Sequence, residues 1–321
     1  VSLDPAVAAV RLAVRRSLGQ ADGDVVVVAC SGGADSLALL AAAAFECPRL
    51  GRRVVGAVVD HGLQDGSAEH ADRVVAQMAA LGADETLSAR VRVEGTGRGI
   101  EAAAREARYA VLEQVAERVG STTVLLGHTL DDQAETVLLG LARGSGGRSM
   151  AGMRPAFDVF RRPLLGITRA RTEQACAAEG IEFWRDPHND DPRFTRSRVR
   201  HTVLPMLERE LGPGVAETLA RTAEQLRPDM EALDDLADLA FLEARVDDGL
   251  DVPTLAEQPL AIRSRVVRLA ALAAGSPASE LFHVHVTALL ALVAGDVRGQ
   301  VQLPGHVTAF RDRTRLGFRP T

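Results

Sequence analysis

Lysine is missing from this 321-residue chain: every one of its 37 Lys-plus-Arg residues is arginine. The absence excludes a Walker-type phosphate loop, which needs a lysine, and excludes Schiff-base or lysyl-adenylate chemistry on the protein itself. It leaves polyanion binding open, because the guanidinium fork suits phosphate. Cysteine is scarce as well. Cys30, Cys47 and Cys176 are scattered, with no Cys-x-x-Cys pair. This argues against an iron–sulfur or zinc cluster and against a disulfide framework, and it predicts a reducing, cytoplasmic setting. No uninterrupted apolar run approaches the ~20 residues needed to cross a bilayer, and no basic-then-apolar secretory pattern is seen, so no membrane partner is expected. What remains, 46% hydrophobic and 25% charged, is the balance of a soluble globular protein with room for two domains.

The formal net charge of −6 conceals an uneven distribution. Residues 143–201 hold 12 Arg against 7 acids, whereas residues 224–257 hold 11 acids against 2 Arg. The central third is therefore where a polyanion is expected.

Up to about residue 187 short β-branched runs alternate with helical patterns. Strands are predicted at 25–30, 53–60, 85–93, 122–127 and near 159–165. Helices are predicted at 35–45, 68–81, 101–119, 130–143 and 168–179. This β-α-β-α order predicts an α/β fold with a doubly wound parallel sheet, whose ligands sit at the carboxyl ends of the strands. Beyond about 193 the pattern becomes helical, at 196–211, 215–246, 261–274 and 281–294. Three strand-like pieces follow at 299–319. The expected parse is a catalytic domain over 1–190, a basic linker helix over 191–212, and a mainly helical domain over 213–321 with short terminal strands.

The densest chemical signal is Ser31-Gly32-Gly33-Ala34-Asp35-Ser36, placed between a buried strand and a helix. Glycines there let backbone N–H groups approach an anion, and the helix N-terminus adds a favourable dipole. An ordinary β–α turn explains Gly32 and Gly33 but not Ser31, Asp35 and Ser36 beside them. A second constellation, His128, Asp132 and Glu135, follows the strand at 122–127 with i, i+4, i+7 spacing, which places the three on one helical face. Helix capping accounts for one of the neighbouring acids Asp131 and Asp132. The cluster could coordinate Mg²⁺ or hold an amine. Asp60-His61-Gly62 ends the second strand beside the same crevice, where a plain turn is the alternative account. Glu101, Arg105 and Arg108 share a helix face, where a solvated Glu–Arg pair is the plainer account. Arg193 to His201 is rich in Arg and free of acids, which favours phosphate contact. Cys30, Trp184, His283 and His285 are read as packing residues.

Taken together and in order, Ser31–Ser36, Asp60-His61-Gly62-Leu63, Glu101/Arg105/Arg108/Tyr109, Gly127–Thr136, Arg143-Gly144-Ser145-Gly146 and Arg196-x-Arg198-Val199-Arg200-His201 resemble the bacterial tRNA(Ile)-lysidine synthetase family of N-type ATP pyrophosphatases. The resemblance spans roughly residues 24–205. Gln64 and Ser197 stand where that family usually carries Arg and Asn. The resemblance implies an adenine nucleotide alpha hydrolase-like catalytic domain. It also implies ATP and Mg²⁺ as cofactors, and tRNA(Ile) with a CAU anticodon and L-lysine as partners. In the implied reaction the wobble cytidine is adenylated at C2 and lysine then displaces AMP. Ser31, Gly32, Gly33, Ala34, Asp35 and Ser36 would hold pyrophosphate, with Asp35 also placing the metal, and Asp60 and His61 would border adenosine. His128, Asp132 and Glu135 would bind lysine; Asp35, Asp132 and Glu135 are the catalytic candidates. Arg105, Arg108, Arg143, Arg196, Arg198 and Arg200 would meet phosphates of tRNA or ATP. A homodimer is compatible with it. The rivals are a tRNA thiolase, which needs paired cysteines, an ammonia-dependent synthetase, and a non-catalytic tRNA-binding relative.

Overall fold

The computed structural model describes residues 3–60, 62, 66–91, 100–144, 146–186, 190–247, 249–296 and 299–321. The chain forms two compact units. One comprises Val1–Leu139 and Gly152–Arg221, the other Gly140–Ala151 and Thr222–Thr321.

In chain order the elements through the sheet region are α1 (Pro5–Leu18), β1 (Val25–Ala29), α2 (Ala34–Glu46), β2 (Arg53–Asp60), α3 (Ser67–Ala80), β3 (Glu85–Arg90), α4 (Ile100–Val119), β4 (Thr123–Leu125), α5 (Leu130–Ala142), α6 (Gly147–Met150), β5 (Ala156–Phe157), β6 (Phe160–Arg161) and α7 (Arg169–Ala178). The sheet runs β3-β2-β1-β4-β6-β5. All neighbours are parallel except the edge hairpin β5/β6. From β1 the order goes to β2 on one side and to β4 on the other. The chain beyond Ala29 and Leu125 therefore opens on a topological switch point, where open α/β sheets bind their ligands.

Period-two alternation explains why the valine run at 25–28 is buried on both sides. Val26 and Val28 join the core formed with α1, α2, α3 and α7, whereas Val27 joins the core under α4 with Leu112, Val115 and Phe160. Each fully buried valine contributes about 2 kcal/mol of hydrophobic stabilisation. Helix α1, which the sequence reading did not anticipate, is capped by the Asp4 carboxylate accepting the Ala6 N–H at 2.8 Å. It buries Ala6, Val7, Val10, Val14 and Leu18 at helical spacing. The strand expected near 159–165 shrinks to Phe160–Arg161. Pro163 has no N–H for a ladder, and the chain turns into a 3₁₀ segment at Pro163–Gly166.

The helix expected at 196–211 is three segments: α8 (Thr195–Arg198), a π-turn at Val199–Val203, and α9 (Leu204–Leu211). Pro205 offers no N–H to the His201 carbonyl, so the winding widens just before it. Val199 and Leu204 pack with Ala134, Leu138 and Leu139 of α5, which joins this segment to the site helix.

Helix α10 (Val215–Ala244) contains the boundary between the units. The second unit continues with β7 (Arg245–Val246), β8 (Gly249–Asp251), α11 (Val252–Glu257), α12 (Leu260–Ala273), α13 (His283–Ala294), β9 (Gln300–Leu303), β10 (Val307–Asp312) and β11 (Arg315–Pro320). Its strands form an antiparallel sheet, β7-β8-β11-β10-β9. The strands predicted at 299–319 are present, joined by β7 and β8, which are too short for periodicity to announce. In α10 the small residues Ala237, Ala240 and Ala244 face the core, while Leu236, Leu239 and Leu242 are exposed. His283 is exposed, and His285 accepts the Phe282 N–H at Nδ1, 3.0 Å, so His285 caps α13 and neither histidine fills a core. Among the described residues no helix is long and apolar enough to cross a membrane.

Candidate active site at the sheet switch point

The loop after β1 is built by its own small residues. Gly32 has φ +83°, and a Cβ there would come within 2.7 Å of Val74 and 2.9 Å of His70, so only glycine fits. Ser36 stitches the turn from inside. Its Oγ accepts the Ser31 N–H at 3.1 Å and donates to the Gly33 carbonyl at 2.9 Å. Helix α2 starts at Ala34 with Gly33 as N-cap and no side-chain cap, leaving its first N–H groups for an anion. Gly127 lets the β4–α5 loop press against this turn: a Cβ there would lie 3.1 Å from the Ser36 nitrogen.

Asp35, Asp132 and Glu135 meet beside that loop through Arg169, the first residue of α7. Its Nε lies 3.4 Å from Asp35 Oδ2, its Nη2 3.1 Å from Asp132 Oδ1, and its Nη1 3.8 Å from Glu135 Oε1. Two further arginines come from the segment after residue 194. Arg196 Nε donates to Glu135 Oε2 at 2.7 Å, and Arg200 Nε to Glu135 Oε1 at 2.7 Å. Arg200 Nη2 also reaches Asp132 Oδ1 at 3.2 Å. Three carboxylates and three guanidiniums thus share one pocket, with Glu135 fully buried. Asp131 anchors the arrangement by accepting the Arg169 backbone N–H at 2.7 Å. Asp132 holds its own helix start through Thr129 N and Oγ1, both at 2.9 Å.

These surroundings push the carboxyl groups in opposite directions. Burial raises Asp35 to about 6, although Arg169 and the Thr172 hydroxyl, which donates to Oδ1, pull it back. At Asp132 burial also favours the neutral form, but Arg169, Arg196 and the Thr129 N–H outweigh it and hold the group below the usual carboxylate value. Burial lowers His128 to about 3, so its imidazole is neutral. Its Nδ1 accepts Arg162 Nε at 3.2 Å, and Arg162 continues to the Tyr109 hydroxyl at 3.2 Å, which Arg105 also meets at 3.2 Å.

Residues 9–207 match the PP-loop domain model, and residues 250–316 match the TilS substrate binding domain model. The tRNA(Ile)-lysidine synthase of Thermobifida fusca is 55% identical over 305 residues, covering 94% of each chain. That of Streptomyces coelicolor is 49% identical over 98% of each. The chain belongs to the tRNA(Ile)-lysidine synthase family. Among solved structures the U34-tRNA thiolase NcsA from Methanococcus maripaludis aligns with TM-score 0.58 at 19% identity, over 69% of this chain and 79% of its own. That likeness shows the shared fold.

The residues singled out from the sequence of this family member fall into distinct settings. Ser31 to Ser36, Asp132 and Glu135 come together at the switch point. His128 faces Arg162 and Tyr109, while Arg196 and Arg200 bond the acids directly. Asp60 is buried at the end of β2, where Oδ1 accepts the Gly62 N–H at 2.9 Å and Arg90 lies 3.5 Å from Oδ2. Arg105 and Arg108 are exposed on α4, and Arg143 is exposed in the second unit. Arg198 turns onto its own loop, donating to the carbonyls of Pro192 and Arg193 at 2.7 and 3.0 Å. His61, Gln64 and the Glu101 side chain lie outside the described residues. Arg169, Thr172 and Arg162 were missed. The only signal for Arg169 was its place at a predicted helix start in the arginine-rich third.

Proposed function

We propose that this chain joins lysine to the wobble cytidine of tRNA(Ile) bearing a CAU anticodon, with ATP as the driving reagent. The observation that carries the reading is the convergence of the Ser31–Ser36 loop with the Asp35/Asp132/Glu135 cluster at the ends of adjacent strands β1 and β4. The cytidine C2 oxygen attacks the α-phosphorus of ATP, the α–β phosphoanhydride bond breaks, and pyrophosphate leaves into the loop. The ε-amine of free lysine, once its ammonium has shed a proton, then attacks C2, the C2–oxygen bond to AMP breaks, and the protons the nitrogen loses pass to a carboxylate of the cluster or to water.

The backbone N–H groups at the start of α2 meet the charge that grows on the leaving pyrophosphate. Among the described residues no group of three or more His, Cys, Asp or Glu is placed to cage a metal. The donor set suits magnesium brought by ATP, because Mg²⁺ keeps water and phosphate oxygens and takes one or two carboxylates. Asp35 would hold it, and the ion would supply charge neutralisation at the phosphates.

Asp132 and Glu135 would receive the lysine ammonium. Asp132, held ionised by its arginines, suits binding a cation better than accepting a proton, since a general base works best with a pKa near the working pH. His128, neutral and already accepting from Arg162, would orient and not titrate. A sulfur-transfer alternative finds little support: the three cysteines are buried and free, and burial pushes each thiol up to about 12.

The test is incubation with ATP, Mg²⁺, labelled lysine and unmodified tRNA(Ile) bearing CAU. Label entering the tRNA only when the wobble base is cytidine is the expected result; label on no tRNA ends the proposal.

A further inference from the structure

A loop that turns its N–H groups toward an anion turns its carbonyls away, and those carbonyls need donors of their own. Two consecutive carbonyls of the Ser31–Ser36 loop find them in residues far apart in sequence. The Ser31 carbonyl meets His70 Nε2 of α3 at 2.9 Å, and the Gly32 carbonyl accepts the Trp184 backbone N–H at 2.9 Å. A carbonyl can only accept, so His70 carries its proton on Nε2. Its Nδ1 is buried without a partner, a place where a bare lone pair is cheaper than an orphaned N–H.

The two residues also hold each other. Their rings lie 4.1 Å apart, tilted by 44°, and Gln77 Nε2, two turns along α3, donates to the Glu182 carbonyl at 2.9 Å. The imidazole occupies the space that a side chain at Gly32 would need. Packing alone explains the ring contact. It does not explain why both polar contacts land on neighbouring carbonyls of one loop.

We propose that His70 and Trp184 are positioning residues, an outer brace that holds the loop in the shape that presents its N–H groups to the pyrophosphate of ATP. The proposal rests on the reading of Ser31–Ser36 as the pyrophosphate site. Neither side chain is placed among the reacting atoms.

His70→Ala, His70→Gln and Trp184→Phe test the brace. Calorimetry with Mg²⁺ and ATP, lysine titration in the labelling assay, and thermal unfolding are the measurements. Losing the His70 donor is expected to weaken ATP binding about tenfold, the scale of one net hydrogen bond. The KM for lysine should stay within about twofold, because the lysine-facing acids are untouched. Gln places an amide N–H near the lost Nε2–H, so His70→Gln should recover most of the affinity. Trp184→Phe, which keeps the backbone N–H and a ring, should bind ATP within about threefold of the parent, less than a full hydrogen bond's worth. Trp184 is the chain's only tryptophan, so its emission should move to the red in His70→Ala as the indole loses its cover. Unchanged ATP affinity in His70→Ala, an unmoved emission maximum, or equal losses for ATP, lysine and unfolding temperature would overturn the brace. If the parent protein itself bound no ATP, the reading of the loop would fail first and the brace with it.

Discussion

Truncating Glu135 to alanine removes the buried carboxylate to which Arg196 and Arg200 each donate through Nε. Glu135 is fully buried and accepts two bonds of 2.7 Å and one of 3.1 Å. In its absence three guanidiniums face two carboxylates, and Asp132 Oδ1 already accepts from all three arginines at 3.1–3.5 Å. Breaking a buried pair from one side costs about 3–5 kcal/mol, because the surviving charges stay buried without their partner. For a unit of this size about 2–4 °C of melting temperature goes with each kcal/mol, so the expected drop is about 6–20 °C.

Arg196→Ala should cost less, about 1–3 kcal/mol, because Arg200 still serves both oxygens of Glu135. The double variant should recover part of the loss, giving a coupling energy above about 1 kcal/mol in a double-mutant cycle. Urea unfolding of the four proteins, followed by circular dichroism, supplies the cycle. A Glu135→Ala variant within about 1 kcal/mol of the parent, or strictly additive losses, would refute the charge-balance reasoning.

Asp35 predicts a pH dependence whose sign follows from its raised value of about 6. The folded protein binds this proton more tightly than the unfolded chain does, so the Asp35 contribution to stability falls as pH rises from about 4 to about 6. Over the same window Mg²⁺-dependent ATP binding should rise, since the ion needs the ionised carboxylate that Arg169 and Thr172 flank and Asp132 neighbours. Asp35→Asn should abolish pyrophosphate exchange while unfolding no earlier than the parent at pH 7.5; normal exchange in this variant would remove Asp35 from the site. Gly32→Ala combines an unfavourable φ of +83° with contacts under 3 Å to Val74 and His70. It should lose ATP binding by calorimetry, and full binding would show that the loop adapts freely. Asp131→Ala removes the acceptor for the Arg169 N–H and should destabilise the protein by about 0.5–2 kcal/mol in urea unfolding; no loss would mean that α7 needs no such cap.

The parts of the site legible in the sequence are those whose cause is local. A β-branched run, two glycines and an acid within 12 residues determine strand, turn and helix start, and the structure keeps them within a residue or two. Asp132 and Glu135 were legible for the same reason, as acids on the first turns of a helix after a buried strand. Their partners were not, because nothing in the spacing of Arg196 and Arg200 says that a chain segment more than 60 residues away returns onto α5. The same arginine excess suggested a polyanion, and part of that inference is answered inside the molecule: Arg162, Arg169, Arg196 and Arg200 are engaged by His128, Tyr109 and the acids. Of the two acids one of which capping was expected to explain, Asp132 holds its own helix start, whereas Asp131 caps α7, a contact that only the sheet topology creates. Strands of two or three residues, such as β7 and β8, take their identity from a neighbouring strand and have no pattern of their own.

The missing lysine acquires a chemical meaning beside the reaction proposed here. An adenylated cytidine is an electrophile, and any ε-amine of the protein close to C2 would compete with free lysine for it. The cations that balance Asp132 and Glu135 are guanidiniums, protonated at every working pH and poor nucleophiles. They can hold the two acids hydrogen-bonded from several sides without offering a reactive amine. Arg196 and Arg200 each engage both acids in a forked geometry that a single ammonium could not reproduce. An arriving lysine ammonium would therefore be the first primary amine side chain in the pocket, distinguished from the resident cations by its three donors, its compact charge and its ability to give up a proton.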